Sequence, residues 1–193
     1  MNKNRIEAFS DGVIAIIITI MVLEMKVPHE GADLASLKPI LPVFLSYILS
    51  FAMVLIYWNN HHHLFQSVKK INGKVLLANG LLLFCLSLMP FATAWMGENH
   101  FSSIPVAFFG LILLLSGVAY SILSKTLIKI HGHESVLSKA VGKSTKEKIS
   151  TFSYFAAIPI SLYQPLISCL IYLGVAIMWL IPDKRIEKVL NDL

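Results

Sequence analysis

The residues best suited to chemistry stand at the start of a long apolar segment. Arg5 and Asp11 carry charge and Ser10 carries a hydroxyl, while residues 13–23 contain nothing more polar than Thr19. A charged side chain carried into a bilayer-spanning segment is costly and by default marks a functional site. The sequence therefore predicts a functional site at the beginning of this segment.

A second polar cluster ends the next apolar segment, where residues 58–65 read Trp-Asn-Asn-His-His-His-Leu-Phe. Trp58 and His61 are three residues apart, share a helix face and can donate hydrogen bonds to Ser10 or Asp11. Three histidines suggest zinc, but consecutive helical residues point in different directions and no carboxylate or cysteine completes a site. We therefore expect a hydrogen-bonded scaffold and no metal. Asn79 is expected to add a hydrogen bond between helices.

Other chemical functions find little support in the sequence. It shows no nucleophile–base pair, glycine-rich phosphate loop or paired carboxylates, so neither an enzyme nor a cofactor is predicted. The formal net charge is +5, but no basic stripe with interleaved aromatic residues predicts a nucleic-acid partner. Cys85 and Cys169 lie inside apolar segments, where free cysteine behaves as a small hydrophobic residue.

The composition is that of an integral membrane protein. Apolar residues make up 56% of the 193 residues and charged residues 14%, against about 45–50% and about 25% in soluble domains. We predict an all-α protein with a single domain, residues 1–193, and six transmembrane helices. Their approximate spans are 6–26, 39–60, 74–96, 104–124, 150–163 and 165–182. No small-residue cleavage site follows Leu23, so we expect the first span to be retained rather than removed as a signal peptide.

Basic residues separate strongly across these spans. Only Lys26 and Lys38 lie on one side, and the other 14 of the 16 lysines and arginines lie opposite. The positive-inside rule then places both termini in the cytoplasm. The basic segment 125–149 is predicted to be a cytoplasmic loop that lies at the lipid headgroups of the bilayer.

The first helix carries a stripe of branched apolar residues. Ile16, Ile20 and Leu23 are spaced as i, i+4 and i+7, and Gly12 and Thr19 share their face. If copies of this helix surrounded an axis, the stripe would form apolar rings of the kind that gate channels by dewetting, with a ring of hydroxyls between them. Helix packing within one subunit is the alternative, and periodicity alone favours it. Asp11 and Ser10 point away from the stripe.

Several motifs together resemble one known family. They are Arg5-x-x-x-Phe9-Ser10-Asp11, the helix end Leu23-Glu24-Met25-Lys26-Val27-Pro28, Trp58-x-x-His61-His62-x-Leu64-Phe65, Asn79 and Pro90-Phe91. This pattern covers essentially the whole chain and is similar to the transmembrane protein 175 family. Its members are endolysosomal potassium channels in animals, with single-repeat relatives in bacteria and archaea.

The resemblance implies a subunit of six helices whose first helix lines a central pore, without the carbonyl-lined P-loop filter of ordinary potassium channels. A single-repeat chain is implied to form a homotetramer in the plasma membrane of a prokaryote. By register from Asp11, the pore constriction falls on Ile16, Ile20 and Leu23, and the hydroxyl-bearing pore position falls on Thr19. Arg5, Phe9, Ser10 and Asp11 are implied to hold the first helix against Trp58 and against His61 or His62.

Three functions follow as hypotheses. The first is a channel through which potassium ions permeate passively. The second is a proton-conducting or ion-coupled secondary transporter that uses Asp11 and the histidines as relays. The third is a membrane scaffold that conducts nothing.

Overall fold

The computed structural model describes residues 3–29, 31, 33–68, 70–132, 135, 138 and 145–180. Within these residues the chain forms α-helices, and a 3-10 helix precedes the second of them. In chain order they are α1 (Lys3–Leu23), the 3-10 helix (Leu34–Ile40), α2 (Leu41–Gln66), α3 (Gly73–Ser87), α4 (Met89–Glu98), α5 (Ser103–His131), α6 (Thr145–Ser161) and α7 (Pro165–Leu180).

The helices correspond to the six predicted spans and make this a multi-pass membrane protein. Four described segments are long and apolar enough to cross a bilayer: Lys3–Leu23, Leu34–Gln66, Gly73–Glu98 and Ser103–His131. α3 and α4 form one crossing, since the third of these segments runs through both. α6 and α7 are shorter, with 17 and 16 residues.

The structure corrects several predicted boundaries. The second span does not end at residue 60, because Leu64 and Phe65 are buried and α2 continues to Gln66. The third span is interrupted at Leu88, two residues before Pro90, which has no backbone N–H to donate within a helix. The 3-10 helix was not predicted; the Asp33 side chain caps it by accepting from the Ser36 N–H at 3.1 Å.

The predicted loop at 125–149 is helical at both ends. Leu127 and Ile128 are buried, so α5 keeps its packed face as far as His131 and ends at Gly132, whose φ of 87° suits glycine. α6 begins at Thr145. The intervening residues 133, 134, 136, 137 and 139–144 lie outside the described part of the chain.

Successive crossings are antiparallel, and polar contacts join their ends. Lys3 Nζ donates to the Phe65 backbone oxygen at 2.9 Å, so α1 begins where α2 ends. The Lys70 N–H donates to His131 Nε2 at 3.1 Å, which places the end of α5 beside the same connection. Ser121 bonds Glu147 at the start of α6, and Trp179 near the end of α7 bonds Ser150.

This arrangement separates the basic residues as predicted. The end where α1 begins carries most described basic side chains: Lys3, Arg5, Lys70, Lys74, Lys125, Lys129, Lys146 and Lys148. Lys26 and Lys38 lie at the opposite end. The remaining basic residues are outside the described part of the chain. We call the two ends the basic end and the opposite end.

Two glycines allow helices to approach closely. A Cβ at Gly97 of α4 would lie 2.6 Å from Val43 Cα of α2, which is closer than real side chains come. A Cβ at Gly110 of α5 would overlap the Tyr172 hydroxyl, which donates to the Val106 backbone oxygen at 3.3 Å. These contacts fix α4 against α2 and α7 against α5.

Candidate functional site

One face of α1 is buried and the opposite face is open. The buried face consists of Ile6, Ser10, Ile14, Ile17 and Met21, and it packs against α2, α3 and α4. On the other side, the exposed fractions of Ile16, Ile20 and Leu23 are 60%, 40% and 70%. Packing within one subunit therefore does not account for the predicted stripe.

Thr19 and Gly12 are also exposed, among these apolar side chains. The Thr19 hydroxyl donates to the Ala15 backbone oxygen one turn earlier, at 2.8 Å. Since this bond uses the hydroxyl's one proton, the oxygen keeps its lone pairs for an outside partner. The exposed face of α1 thus presents apolar groups and one oxygen acceptor.

A buried hydrogen-bond chain joins α1, α2 and α3. The Asn79 amide nitrogen donates to Ser10 Oγ at 2.9 Å, and the Asn79 oxygen lies 2.8 Å from His61 Nε2. All three side chains are buried. Because the amide oxygen can only accept, the proton of this pair lies on His61 Nε2. His61 therefore reaches Ser10 through Asn79 rather than directly.

Trp58 makes the second link between α1 and α2. Its indole N–H donates to Asp11 Oδ1 at 3.0 Å. His62 stacks on the Trp58 ring, with centroids 5.9 Å apart, and its Nε2 lies 2.9 Å from the Gln66 amide nitrogen. The pattern left His61 and His62 as equal candidates; in the structure His61 joins the buried chain and His62 lies behind Trp58.

Arg5 and Phe9 lie outside this network, contrary to the role implied for them. Both are exposed, and neither makes a hydrogen bond, ion pair or ring contact among the described residues. The helical rotation of about 100° per residue explains this, because it places both residues on the side of the stripe. Within one subunit they do not hold α1 against Trp58 or His61.

A third polar contact, which the sequence analysis missed, holds α1 nearer the opposite end. Thr93 Oγ1 of α4 lies 2.6 Å from Ser50 Oγ of α2 and 2.6 Å from the Met89 backbone oxygen. It also lies 3.8 Å from Met21 Sδ of α1. The available signal was a pair of small hydroxyl residues inside apolar helices, a common feature of helix interfaces in membranes.

Among the described residues, the histidines have no further metal ligands beside them. No three His, Cys, Asp or Glu side chains in that part of the chain come close enough to hold a metal ion. The site is thus an exposed helix face, held from behind at two levels by buried polar contacts.

Comparisons with known proteins match this region and the whole fold. The family model described as "Endosomal/lysosomal potassium channel TMEM175" matches residues 5–90, which include all the residues of the polar contacts to α1 described above except Thr93. A potassium channel of Chryseobacterium sp. (strain P1-3) is 57% identical over 192 residues, covering 100% of both chains. The human "Endosomal/lysosomal proton channel TMEM175" is 37% identical over 103 residues, 48% of this chain and 20% of the human protein.

A solved structure has the same fold. It is a lysosomal potassium-selective channel TMEM175 homolog from Chamaesiphon minutus, which is 29% identical in sequence. The TM-score is 0.77, with 92% of this chain and 95% of that chain covered. Together with the end-to-end relative, this match shows that the chain belongs to the TMEM175 family.

Proposed function

We propose that this protein is a potassium-permeable channel in which four copies place α1 around a central pore. One observation carries the proposal: Ile16, Thr19, Ile20 and Leu23 lie exposed on the face of α1 opposite to its buried face. A face of this composition suits apolar gating rings with one ring of oxygen ligands between them. The relatives named as potassium channels support the same ion.

Passive conduction would follow from the chemistry of this face. The apolar rings of Ile16, Ile20 and Leu23 exclude water when narrow, so they must widen or become wet before an ion passes. Thr19 donates its proton to Ala15, which leaves oxygen lone pairs to replace part of the hydration shell of a cation. Selectivity then depends on pore diameter and on this hydroxyl ring.

The buried contacts would act as a brace rather than as a path for ions. Ser10 is fully buried on the inner face of α1, and Asp11 accepts a hydrogen bond from Trp58. Neither residue lies on the stripe. Rotation of α1 about its axis would break the Ser10–Asn79 bond. The brace therefore fixes which residues of α1 face the pore.

We further propose a location in the plasma membrane of a prokaryote, with both termini in the cytoplasm. Support comes from the basic end, since lysines and arginines favour the cytoplasmic side of short loops. The connection within residues 125–149 would then lie at the cytoplasmic headgroups.

The experiment is ion flux from the purified protein in liposomes, with Ile16→Asn as the main variant. We expect Ile16→Asn to raise potassium flux, because the amide lets water occupy the constriction. Ile177→Asn is the matched control; Ile177 is 53% exposed on α7, which packs against α2, α5 and α6 rather than α1. Equal flux from wild type and Ile16→Asn, without single-channel steps, contradicts the pore assignment.

Proton conduction or proton-coupled transport is the second candidate, because the vertebrate relatives are named proton channels. The same liposomes with an internal pH dye separate the two functions. Saturating, proton-coupled flux without single-channel steps favours a transporter. Absence of all ion flux favours the non-conducting scaffold.

A further inference from the structure

The three tryptophans of the chain differ in the partner of the indole N–H group. Trp58 donates to Asp11 at 3.0 Å, and Trp179 donates to Ser150 at 2.7 Å. The N–H of Trp95, on α4, has no acceptor in the part of the chain that the structure describes. Since a tryptophan N–H usually finds a hydrogen-bond partner, the Trp95 donor is left for a partner outside these residues.

The Trp95 nitrogen is open at the surface. Within the described ranges, the buried side-chain nitrogens and oxygens that lack a partner are His63 Nδ1 and Ser116 Oγ. The Trp95 nitrogen also lacks a partner but is not one of these buried atoms. The side chain as a whole is partly buried, so its ring packs against the protein while its N–H stays accessible.

Two aromatic neighbours hold the Trp95 ring in place. The Phe108 ring of α5 meets it edge to face with centroids 5.4 Å apart, and the Phe91 ring of α4 lies 5.8 Å away. Phe91 and Phe108 also meet edge to face, at 5.8 Å. We call these three residues the aromatic triplet. Because each ring contacts the other two, the direction of the Trp95 N–H is restricted.

Trp95 lies close to the level at which the hydrocarbon of the bilayer ends. The crossing formed by α3 and α4, Gly73–Glu98, has 26 residues. At about 1.5 Å per residue it extends about 39 Å, whereas the hydrocarbon core is about 30 Å thick. With the excess shared equally, about three residues project at each end. The boundary at the opposite end then falls near Trp95, and the exposed Glu98 lies among the headgroups.

Phospholipids supply hydrogen-bond acceptors at this level. Their phosphate and ester carbonyl oxygens lie at the boundary, whereas the hydrocarbon offers a donor no partner. Tryptophan suits this level because its ring is apolar and its N–H is polar. Phe91 is four residues earlier on α4, so it lies about 6 Å deeper in the bilayer. Its side chain is 60% exposed and offers an apolar surface to an acyl chain.

We propose that the aromatic triplet binds a phospholipid at the opposite end of the protein. A phosphate or ester carbonyl oxygen of the lipid accepts the Trp95 N–H, and an acyl chain packs on Phe91. The site requires neither ion conduction nor a tetramer, so a protein that conducts nothing would still test it.

Fluorine NMR of the full-length protein in nanodiscs tests where Trp95 lies, with 5-fluorotryptophan in place of the three tryptophans. The variants Trp58→Phe, Trp95→Phe and Trp179→Phe assign the resonances. We expect a nitroxide on the lipid headgroup to broaden the Trp95 resonance more than a nitroxide near the end of an acyl chain. Broadening by neither label, or stronger broadening by the acyl-chain label, would overturn the proposal.

Native mass spectrometry of the detergent-solubilised protein tests the hydrogen bond, with added phosphatidylethanolamine as the probe. Trp95→Phe keeps an aromatic ring and removes the N–H, so we expect the affinity for this lipid to fall about threefold or more. Trp179→Phe is the matched control and should retain lipid as wild type does, because its N–H is used by Ser150. Equal lipid retention by wild type and Trp95→Phe would overturn the proposal.

A diether form of phosphatidylethanolamine identifies the acceptor, because it lacks the ester carbonyls. Retention equal to that of the ester lipid assigns the phosphate as the acceptor, and weaker retention assigns the ester carbonyl. The preference of wild type over Trp95→Phe is expected with the ester lipid in both cases.

Discussion

At the scale of single residues, Asn79 links two other buried polar side chains on two different helices. Its amide serves Ser10 on α1 and His61 on α2 at once, and all three groups are buried. A buried donor or acceptor left without its partner costs about 1–3 kcal/mol. One side chain therefore determines whether two other polar groups are satisfied.

Asn79→Ala should lower the free energy of unfolding by about 1–3 kcal/mol, because Ser10 and His61 lose their shared partner. Thermal unfolding in detergent measures the change. Asn99→Ala removes only an exposed bond to the Trp95 backbone oxygen and is the control. Ser10→Ala combined with Asn79→Ala should cost less than the two single changes added together. If the two losses of unfolding free energy simply add, the hydrogen-bond chain of Ser10, Asn79 and His61 does not act as a unit.

Thr19→Ala should reduce the preference for potassium over sodium, because in the proposed tetramer the oxygen that would face the pore is lost. Thr19→Ser retains this oxygen and should keep the preference. Reversal potentials under bi-ionic conditions measure both variants. If Thr19→Ala keeps the wild-type ratio of potassium to sodium permeability, Thr19 does not line the pore, independently of the result for Ile16→Asn.

At the scale of helices, the sequence predicts positions better than ends. The apolar runs identify the crossings because about 20 apolar residues are needed to span the bilayer. The ends depend on tertiary contacts, which composition does not show: lysines occur in α5 as far as Lys129, and buried Leu127 keeps that turn in the core. The brace at Thr93 was missed for the same reason, since its partners Ser50 and Met21 are more than 40 residues away in the chain.

The scaffold residues show the same limit. The sequence predicted that Trp58 and His61 offer donors to Ser10 or Asp11, without choosing between these pairings, and in the structure Trp58 bonds Asp11. Helical rotation alone predicted that Ser10 turns away from the stripe, and Ser10 is buried. The sequence did not show that Asn79 stands between His61 and Ser10, because this requires α3 to lie beside both helices. Motif membership also grouped Phe9 with the scaffold, although its position on the helix exposes it.

Gly97→Ala should destabilise the protein by about 1–3 kcal/mol, because the added methyl group would enter the backbone of α2 at Val43. Gly80→Ala is the matched control, since nothing lies within 4 Å of its Cβ. That change should be neutral or should stabilise α3 by up to about 1 kcal/mol through helix propensity. Thermal unfolding of both variants in one detergent decides the comparison; equal effects would contradict the close approach of α4 to α2.

At the scale of the whole molecule, one subunit leaves the stripe on α1 uncovered. In the proposed tetramer this face meets its copies around the axis, and the basic end faces the cytoplasm. The stripe is then shielded from lipid and lines the path of the ion.

Leu23→Cys should form disulfide-linked dimers when membranes are oxidised, because Leu23 lies on the face that would surround the axis. Leu170→Cys is the control; Leu170 is exposed to a similar degree, 67% against 70%, but lies on α7. Non-reducing electrophoresis measures the linkage, and native mass spectrometry should give a mass of four subunits. Cross-linking through Leu170→Cys but not through Leu23→Cys would place the subunit interface at α7 and would contradict an axis lined by α1.

The attachment of α1 also limits how the rest of the protein can influence it. α1 packs mainly against α2, α3 and α4, while α5, α6 and α7 pack chiefly against one another and against those same helices. Within one subunit, a change at α6 or α7, such as a bound group, therefore reaches the stripe mainly through α2, α3 or α4. The buried contacts at Ser10 and Met21 are two junctions where such a signal would arrive. The residues of α6 and α7 that respond to a regulator can therefore change independently of the residues on the stripe, provided that these two contacts are kept.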